Sequence, residues 1–374
     1  MHQSLAPLSV QRAVSHDGPP PGRVAEAPVY PVALASPVQE MPAASAGSPR
    51  EPASWRLCVA PMMDWTDTHC RVFHRLLAPD ARLYTEMVHA QAVIHGDRRR
   101  LLGFDPVEHP VALQLGGSDP GHLATATRIG VEWGYDEINL NVGCPSDRVQ
   151  AGRFGACLMK EPALVAECMA AMRAAAGTVP VTVKCRLGVD EMEDYGVFLG
   201  FIDTVAAAGI DTFVVHARKA WLQGLSPKEN REIPPLRYDW VDRLKTERPA
   251  LRIVLNGGLG EVEAAVAAAQ RLDGAMIGRA AYHEPYRLHL MQVALFGGEA
   301  RPRAELLRAL RPYVEAQLAR GVALKHISRH LLGLFHGQPG GRLFRQVLSE
   351  RATKPGAGWD VIEAALAATD PACA

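Results

Sequence analysis

The chain has 374 residues, 48% of them hydrophobic, and its 40 basic and 40 acidic side chains balance, so it can bury one large core and a smaller one but has no whole-chain charge to name a partner. Seven cysteines form no C-x-x-C pair and show no zinc-like spacing, which excludes a disulfide framework and a metal site. Met1 to Tyr30 hold no signal-like apolar stretch and no run approaches the roughly 20 residues of a membrane helix, so a reduced, cytoplasmic protein is expected, with no metal and no membrane partner.

Residues 1–52 are rich in Pro, Ala, Ser and Val without a sustained period, and a disordered extension is expected there. From Trp55 onward, short β-branched runs alternate with amphipathic, Ala-rich stretches. The expected strands are Arg56–Ala60, Leu83–Glu86, Val111–Leu115, Glu137–Asn141, Val181–Arg186, Thr212–Ala217, Arg252–Asn256 and Gly274–Ile277. Helix patterns separate most of them, among them Pro120–Trp133, Pro162–Ala176, Asp194–Ala208 and Glu261–Arg271. Eight such units predict an α/β fold, a closed (β/α)8 TIM barrel over residues 53–300. A dinucleotide fold would place a glycine fingerprint after its first strand, where Pro61-Met62-Met63-Asp64 stands instead.

After Ile277 the pattern turns helical. Leu306, Leu307, Leu310, Tyr313, Val314 and Leu318, then Ile327, Leu331, Leu332 and Phe335, follow helical spacing. A C-terminal all-helical domain over 301–374 is expected, interrupted at Gln338-Pro339-Gly340-Gly341. From Arg301 to Lys354 there are eleven Lys/Arg against three Asp/Glu, a local excess of eight positive charges. Such a segment fits a nucleic-acid footprint and equally a solvated helical face.

In a (β/α)8 barrel the chemistry collects where strands end. Glycines at Gly257-Gly258 and Gly278, followed by Arg279, can bring backbone N–H groups onto a phosphate. Each glycine alone is equally a turn residue. Lys184 is one of seven lysines against 33 arginines and sits in an apolar strand, where a mouth-facing ammonium needs an anion or an electron-rich ring. His216 ends the next strand, and the core-packing alternative stays open for it. Cys144 lies in Asn141-Val142-Gly143-Cys144-Pro145, before a glycine-rich stretch, Gln150 to Gly155, that reads as a flexible loop over a site. A small buried loop residue is the other reading of Cys144. For Cys58, Cys157, Cys168 and Cys185 packing is the better one.

The segments Ala60-Pro61-Met62-Met63-Asp64-Trp65-Thr66-Asp67, Asn139-Leu140-Asn141-Val142-Gly143-Cys144-Pro145-Ser146, Val215-His216-Ala217-Arg218 and Asn256-Gly257-Gly258 resemble the tRNA-dihydrouridine synthases, from about Trp55 to Trp359. Within that family the resemblance is to the A subfamily, carried by His216 to Leu222 and Lys228-Glu229-Asn230-Arg231. It implies an FMN-binding barrel joined to a helical tRNA-binding domain, with NADPH as reductant. Uridine in the D-loop, at positions 20 and 20a, would become 5,6-dihydrouridine, by hydride from the reduced flavin to C6 and a proton from Cys144 to C5. That role needs a thiol, not a thiolate, and a free cysteine is mostly protonated at neutral pH. Pro61, Met62, Met63, Gln114, Lys184, His216, Asn256, Gly257, Gly258, Gly278 and Arg279 would bind the cofactor. Asn141 would meet the target uridine, and Lys228, Arg231, Arg342 and Arg345 would orient the tRNA. A monomer is expected.

Two rival readings follow from the same residues. One is a flavin barrel acting on a small pyrimidine, which would have no use for the basic segment after Arg301. The other is an RNA-binding module without catalysis, for which Cys144, Lys184 and His216 would have no purpose.

Overall fold

The computed structural model describes residues 55–146, 149–150 and 152–369; the expected disordered extension over 1–52 lies outside the described residues, as does Cys373. Among the described residues nine short strands build one all-parallel sheet: β1 Leu57–Val59, β2 Leu83–Tyr84, β3 Val88–His89, β4 Val111–Gly116, β5 Glu137–Val142, β6 Val181–Cys185, β7 Thr212–His216, β8 Arg252–Asn256 and β9 Gly274–Ile277. Their order is β1-β9-β8-β7-β6-β5-β4-β2, with β3 also on β4. A bridge between Cys58 and Arg82, with Val59 N donating to Arg82 O at 2.9 Å, joins β1 to the start of β2 and closes the barrel.

β2 and β3 pair with successive parts of β4, Leu83 opposite Val111 and Val88 opposite Leu115, so together they make one interrupted stave. The expected strand Leu83–Glu86 therefore breaks after Tyr84. The Thr85 side chain takes over the ladder there, accepting from Gln114 N at 3.1 Å and donating to Glu86 O at 2.8 Å. A hydroxyl that captures backbone partners competes with regular pairing.

Alternation along each strand separates two apolar groups. Leu57, Leu113, Ile138, Leu140, Val183, Phe213, Val215, Ile253, Leu255 and Ile277 join the main core with the surrounding helices. Cys58, Ala60, Tyr84, Ala112, Val214, Val254 and Met276 form a second cluster with Trp55. Each fully buried Leu, Ile or Phe stabilises by about 1.5–3 kcal/mol. The helices begin where their caps predict: Asp119 accepts from His122 N at 2.8 Å with Pro120 at the first position, and Asp67 caps Thr68–Leu77 through Cys70 N at 3.0 Å.

Beyond β9, helices Arg279–His283 and Pro285–Phe296 lead into Arg303–Arg308, Arg311–Ala319, Leu324–Ser328, Gly341–Arg351 and Trp359–Leu366. Among the described residues this region holds no strand. Its core is made by Leu306, Leu307, Leu310, Val314, Ile327, Leu331, Phe335 and Phe344, all buried. It is tied to the first barrel helix by His69 Nδ1 and Tyr313 OH at 2.7 Å, and by Asp67, which pairs with Arg329 at 2.5 Å and His330 at 3.1 Å. Among the described residues no helix is long and apolar enough to cross a membrane.

Candidate active site

Strand register builds one end of the barrel into a polar cup. Asn139 lies beside Gln114 of β4 and Thr182 of β6, and Asn141 beside Lys184. Asn141 Nδ2 donates to Gln114 Oε1 at 2.9 Å, and Gln114 Nε2 to Asn139 Oδ1 at 2.8 Å. The other end of Asn141 turns to the next loop, where Oδ1 accepts from Gly143 N at 3.0 Å and Cys144 N at 2.9 Å. Cys144 is half-buried, with Sγ 3.5 Å from Ser146 Oγ.

The stretch that follows is anchored at its far end. Phe154 and Gly155 are buried, and Ala156 N donates back to Cys144 O at 2.9 Å. Gly155 has φ +74°, and a Cβ there would stand 2.6 Å from Cys144 O. Close approach to the Cys144 backbone, rather than looseness, explains this glycine.

Beside the cysteine loop, on the next strands round the barrel, lies a concentration of positive charge. Lys184 Nζ donates to Asn256 Oδ1 at 2.9 Å, while Asn256 Nδ2 donates to Met276 O at 2.8 Å. Burial, reinforced by Arg186, pushes the Lys184 ammonium down to about 8. His216 is held well below the usual imidazole range by burial first and then by Arg186, Lys184, Arg218 and Arg231, so its ring is neutral at physiological pH. A neutral imidazole ringed by four cations leaves a site short of negative charge.

Gly257 adopts φ +102° against His216, where a Cβ would come within 2.5 Å of the ring. Gly258 follows at φ +72°. Among the described residues the N–H groups of Gly257, Gly258 and Gly278 donate to no protein acceptor. A Cβ at Gly278 would meet only Ala60 Cβ within 4 Å, and Arg279 beside it pairs with Glu232 at 2.5 Å. Three unspent N–H donors next to an arginine suit an anion such as a phosphate ester. On β1's side Pro61 and Met62 are half-buried and Met63 is 56% exposed; Thr66 holds the turn through Met62 N at 3.0 Å.

Lys228 and Arg231 are exposed on the long segment after β7, around a short helical turn at Glu229–Arg231. Buried Arg186 links that segment to the cysteine loop: its Nε donates to Gly143 O at 2.8 Å and its Nη1 to Asn230 O at 2.9 Å. Arg342 and Arg345 are exposed in the first turns of Gly341–Arg351 and form no ion pair among the described residues. The structure thus brings Gln114, Asn141, Cys144, Lys184, His216, Asn256, Gly257, Gly258, Gly278 and Arg279 to the strand ends of one barrel, while Arg342 and Arg345 belong to the helical region.

Sequence reasoning missed Glu137 and Thr182 beneath this cup. The alternation Glu137-Ile138-Asn139-Leu140-Asn141 was the available signal, since period 2 places all three polar residues on the interior side. It missed Arg186's bridging role too, because no sequence spacing relates residues 143, 186 and 230.

Comparison with known proteins agrees with this arrangement. The dihydrouridine synthase (Dus) family model matches residues 58–369. The tRNA-dihydrouridine(20/20a) synthase of Xanthomonas campestris pv. campestris is 72% identical over 317 residues, covering 85% of this chain and 94% of that protein. Proteins of the same name from Xylella fastidiosa and Vibrio cholerae are 67% and 55% identical, covering 83% and 84% of this chain and 94% and 96% of their own lengths. With a family match that runs through both the barrel and the helical region, this chain belongs to the dihydrouridine synthase family.

Proposed function

We propose that this protein reduces uridine to 5,6-dihydrouridine in the D-loop of tRNA, at positions 20 and 20a, with FMN as its resident cofactor and NADPH as reductant. The observation that carries the reading is the Cys144 loop, clamped by Asn141 at the same barrel end as an anion-seeking cluster of Lys184, His216 and the Gly257–Gly258 turn. The names of the relatives support the substrate and its positions.

FMN fits the donor set, and when bound it supplies the hydride chemistry. Gly257, Gly258 and Gly278 would hold its phosphate through their free N–H groups, with Arg279 and neutral His216 beside them. Lys184, Gln114 and Asn256 would meet the polar edge of the ring, with Pro61, Met62 and Met63 against its apolar part. Cys144 holds the proton destined for C5 of the base, and Asn141 would orient the uridine. Lys228, Arg231, Arg342 and Arg345 would contact the tRNA backbone, which offsets the few kcal/mol of extracting a base from the RNA fold.

Mapping dihydrouridine in tRNA from a strain lacking this gene tests the proposal. Loss at positions 20 and 20a, restored by the gene, is expected; loss confined to other positions contradicts it. Release of FMN from the purified protein, and faster oxidation of NADPH than NADH, test the cofactor and reductant.

A further inference from the structure

Beneath the cup, β5 carries Glu137 two residues before Asn139 and four before Asn141, all on the barrel interior. Glu137 is fully buried. Its carboxylate gathers Trp55 Nε1 at 2.8 Å, Tyr84 OH at 2.8 Å, Arg82 Nη1 at 3.1 Å and the Thr182 hydroxyl. An ionised carboxylate accepts only, so Thr182 must spend its single hydrogen on it. The Thr182 oxygen can then only accept, and Asn139 Nδ2 donates to it at 2.7 Å. That turns Asn139 Oδ1 toward Gln114, whose Nε2 donates at 2.8 Å, and Gln114 Oε1 toward Asn141, whose Nδ2 donates at 2.9 Å. Asn141 Oδ1 is left facing the N–H groups of Gly143 and Cys144. Every amide in the ladder has one allowed orientation, and all five side chains are at least nine-tenths buried.

We propose that Glu137 is a positioning residue for Cys144: its carboxylate sets the direction of a side-chain hydrogen-bond ladder, through Thr182, Asn139, Gln114 and Asn141, that ends on the backbone of the cysteine loop. The inference rests on the reading of Cys144 as the proton donor. Glu137→Gln inverts the lowest link. The new amide NH2 cannot face Trp55 and Arg82, which only donate, so it faces the Tyr84 and Thr182 hydroxyls. Thr182 then turns its hydrogen upward and opposes the N–H donors at the top. Thr182→Val cuts the ladder one step above the carboxylate while keeping shape and leaving the Trp55, Arg82 and Tyr84 contacts intact, and Thr182→Ser restores the hydroxyl.

The test compares wild type, T182V, T182S and E137Q as purified holoenzymes. Three quantities are read: the alkylation rate of Cys144 by iodoacetamide, followed on its peptide by mass spectrometry; dihydrouridine formation on tRNA; and flavin reduction by NADPH. Losing one ladder hydrogen bond should speed alkylation and slow tRNA turnover by about tenfold each in T182V and E137Q. T182S should stay close to wild type, and flavin reduction should change less than twofold in T182V and T182S. The proposal is overturned if T182V keeps wild-type alkylation and turnover, or if T182S is as impaired as T182V. Should the wild type form no dihydrouridine, the functional reading fails, and the alkylation arm still decides whether the ladder holds the loop.

Discussion

Lys184 Nζ reaches Asn256 Oδ1 across 2.9 Å, although β7 lies between their two strands. The ammonium thus spans the inside of the barrel end, and burial pushes it from 10.5 down to about 8. Between those two values the unfolded chain binds a proton that the folded chain has lost, so stability rises with pH across the window. Lys184→Met removes this titration. Denaturation curves at pH 7 and pH 10.5 should show wild type gaining on K184M by on the order of 2 kcal/mol as pH rises. A gap independent of pH contradicts a strained ammonium. At pH 7 K184M should also retain less FMN.

The two glycine turns predict opposite behaviour. At Gly257 a Cβ would meet His216 at 2.5 Å on a backbone with φ +102°, so Gly257→Ala should destabilise the flavin-free protein by about 1–3 kcal/mol. At Gly278 nothing but Ala60 Cβ comes within 4 Å. Gly278→Ala should leave flavin-free melting unchanged and lower FMN retention, because its methyl enters space assigned to the phosphate. Melting curves of stripped protein and flavin content of holoprotein separate the two. Equal melting losses in both variants contradict that assignment.

Much of this was legible in the sequence, for physical reasons. Parallel strands buried on both faces need unbroken β-branched runs, so Val181–Cys185 and Thr212–His216 could be read directly. The exception, β2, breaks because a single hydroxyl, Thr85, diverts the ladder, which no periodicity reveals. The site was legible where residues end strands, as with Lys184 and His216. It was opaque where the hydrogen bonding around the candidate site runs through residues at the other end of the strand or on three separate segments, as with Glu137, Thr182 and Arg186. Nor does glycine spacing reveal that Gly155, at the end of the stretch expected to be a flexible loop, packs closely against the Cys144 backbone.

Asp67 links the barrel to the helical region. It caps the first barrel helix through Cys70 N and pairs with Arg329 and His330. Burial alone would raise its carboxyl, but His330, His69 and the Cys70 N–H outweigh it and hold it well below the usual range. Its contribution to stability is present above about pH 4 and is lost as pH falls further. Asp67→Asn should cost about 2 kcal/mol at pH 7, and the difference from wild type should shrink below pH 4. Urea denaturation at pH 7 and pH 3 checks both the size and the trend.

Arg342 and Arg345 are exposed and without ion pairs among the described residues, and the proposed function sets them against tRNA phosphates. Replacing both with Ala should weaken tRNA binding and reduce the slope of log affinity against log salt by about 1.5. Melting temperature should not change, since neither side chain is buried. An unaltered salt slope removes both residues from the RNA interface.

In the proposed reaction Cys144 gives the proton to the base. The measurement that tests it most directly is single-turnover reaction of Cys144→Ala with unmodified tRNA after flavin reduction by NADPH. Normal FMN content and normal flavin reduction are expected, with dihydrouridine formation slowed by at least about a hundredfold, the scale of a lost general acid. Dihydrouridine formed at the wild-type rate would contradict it.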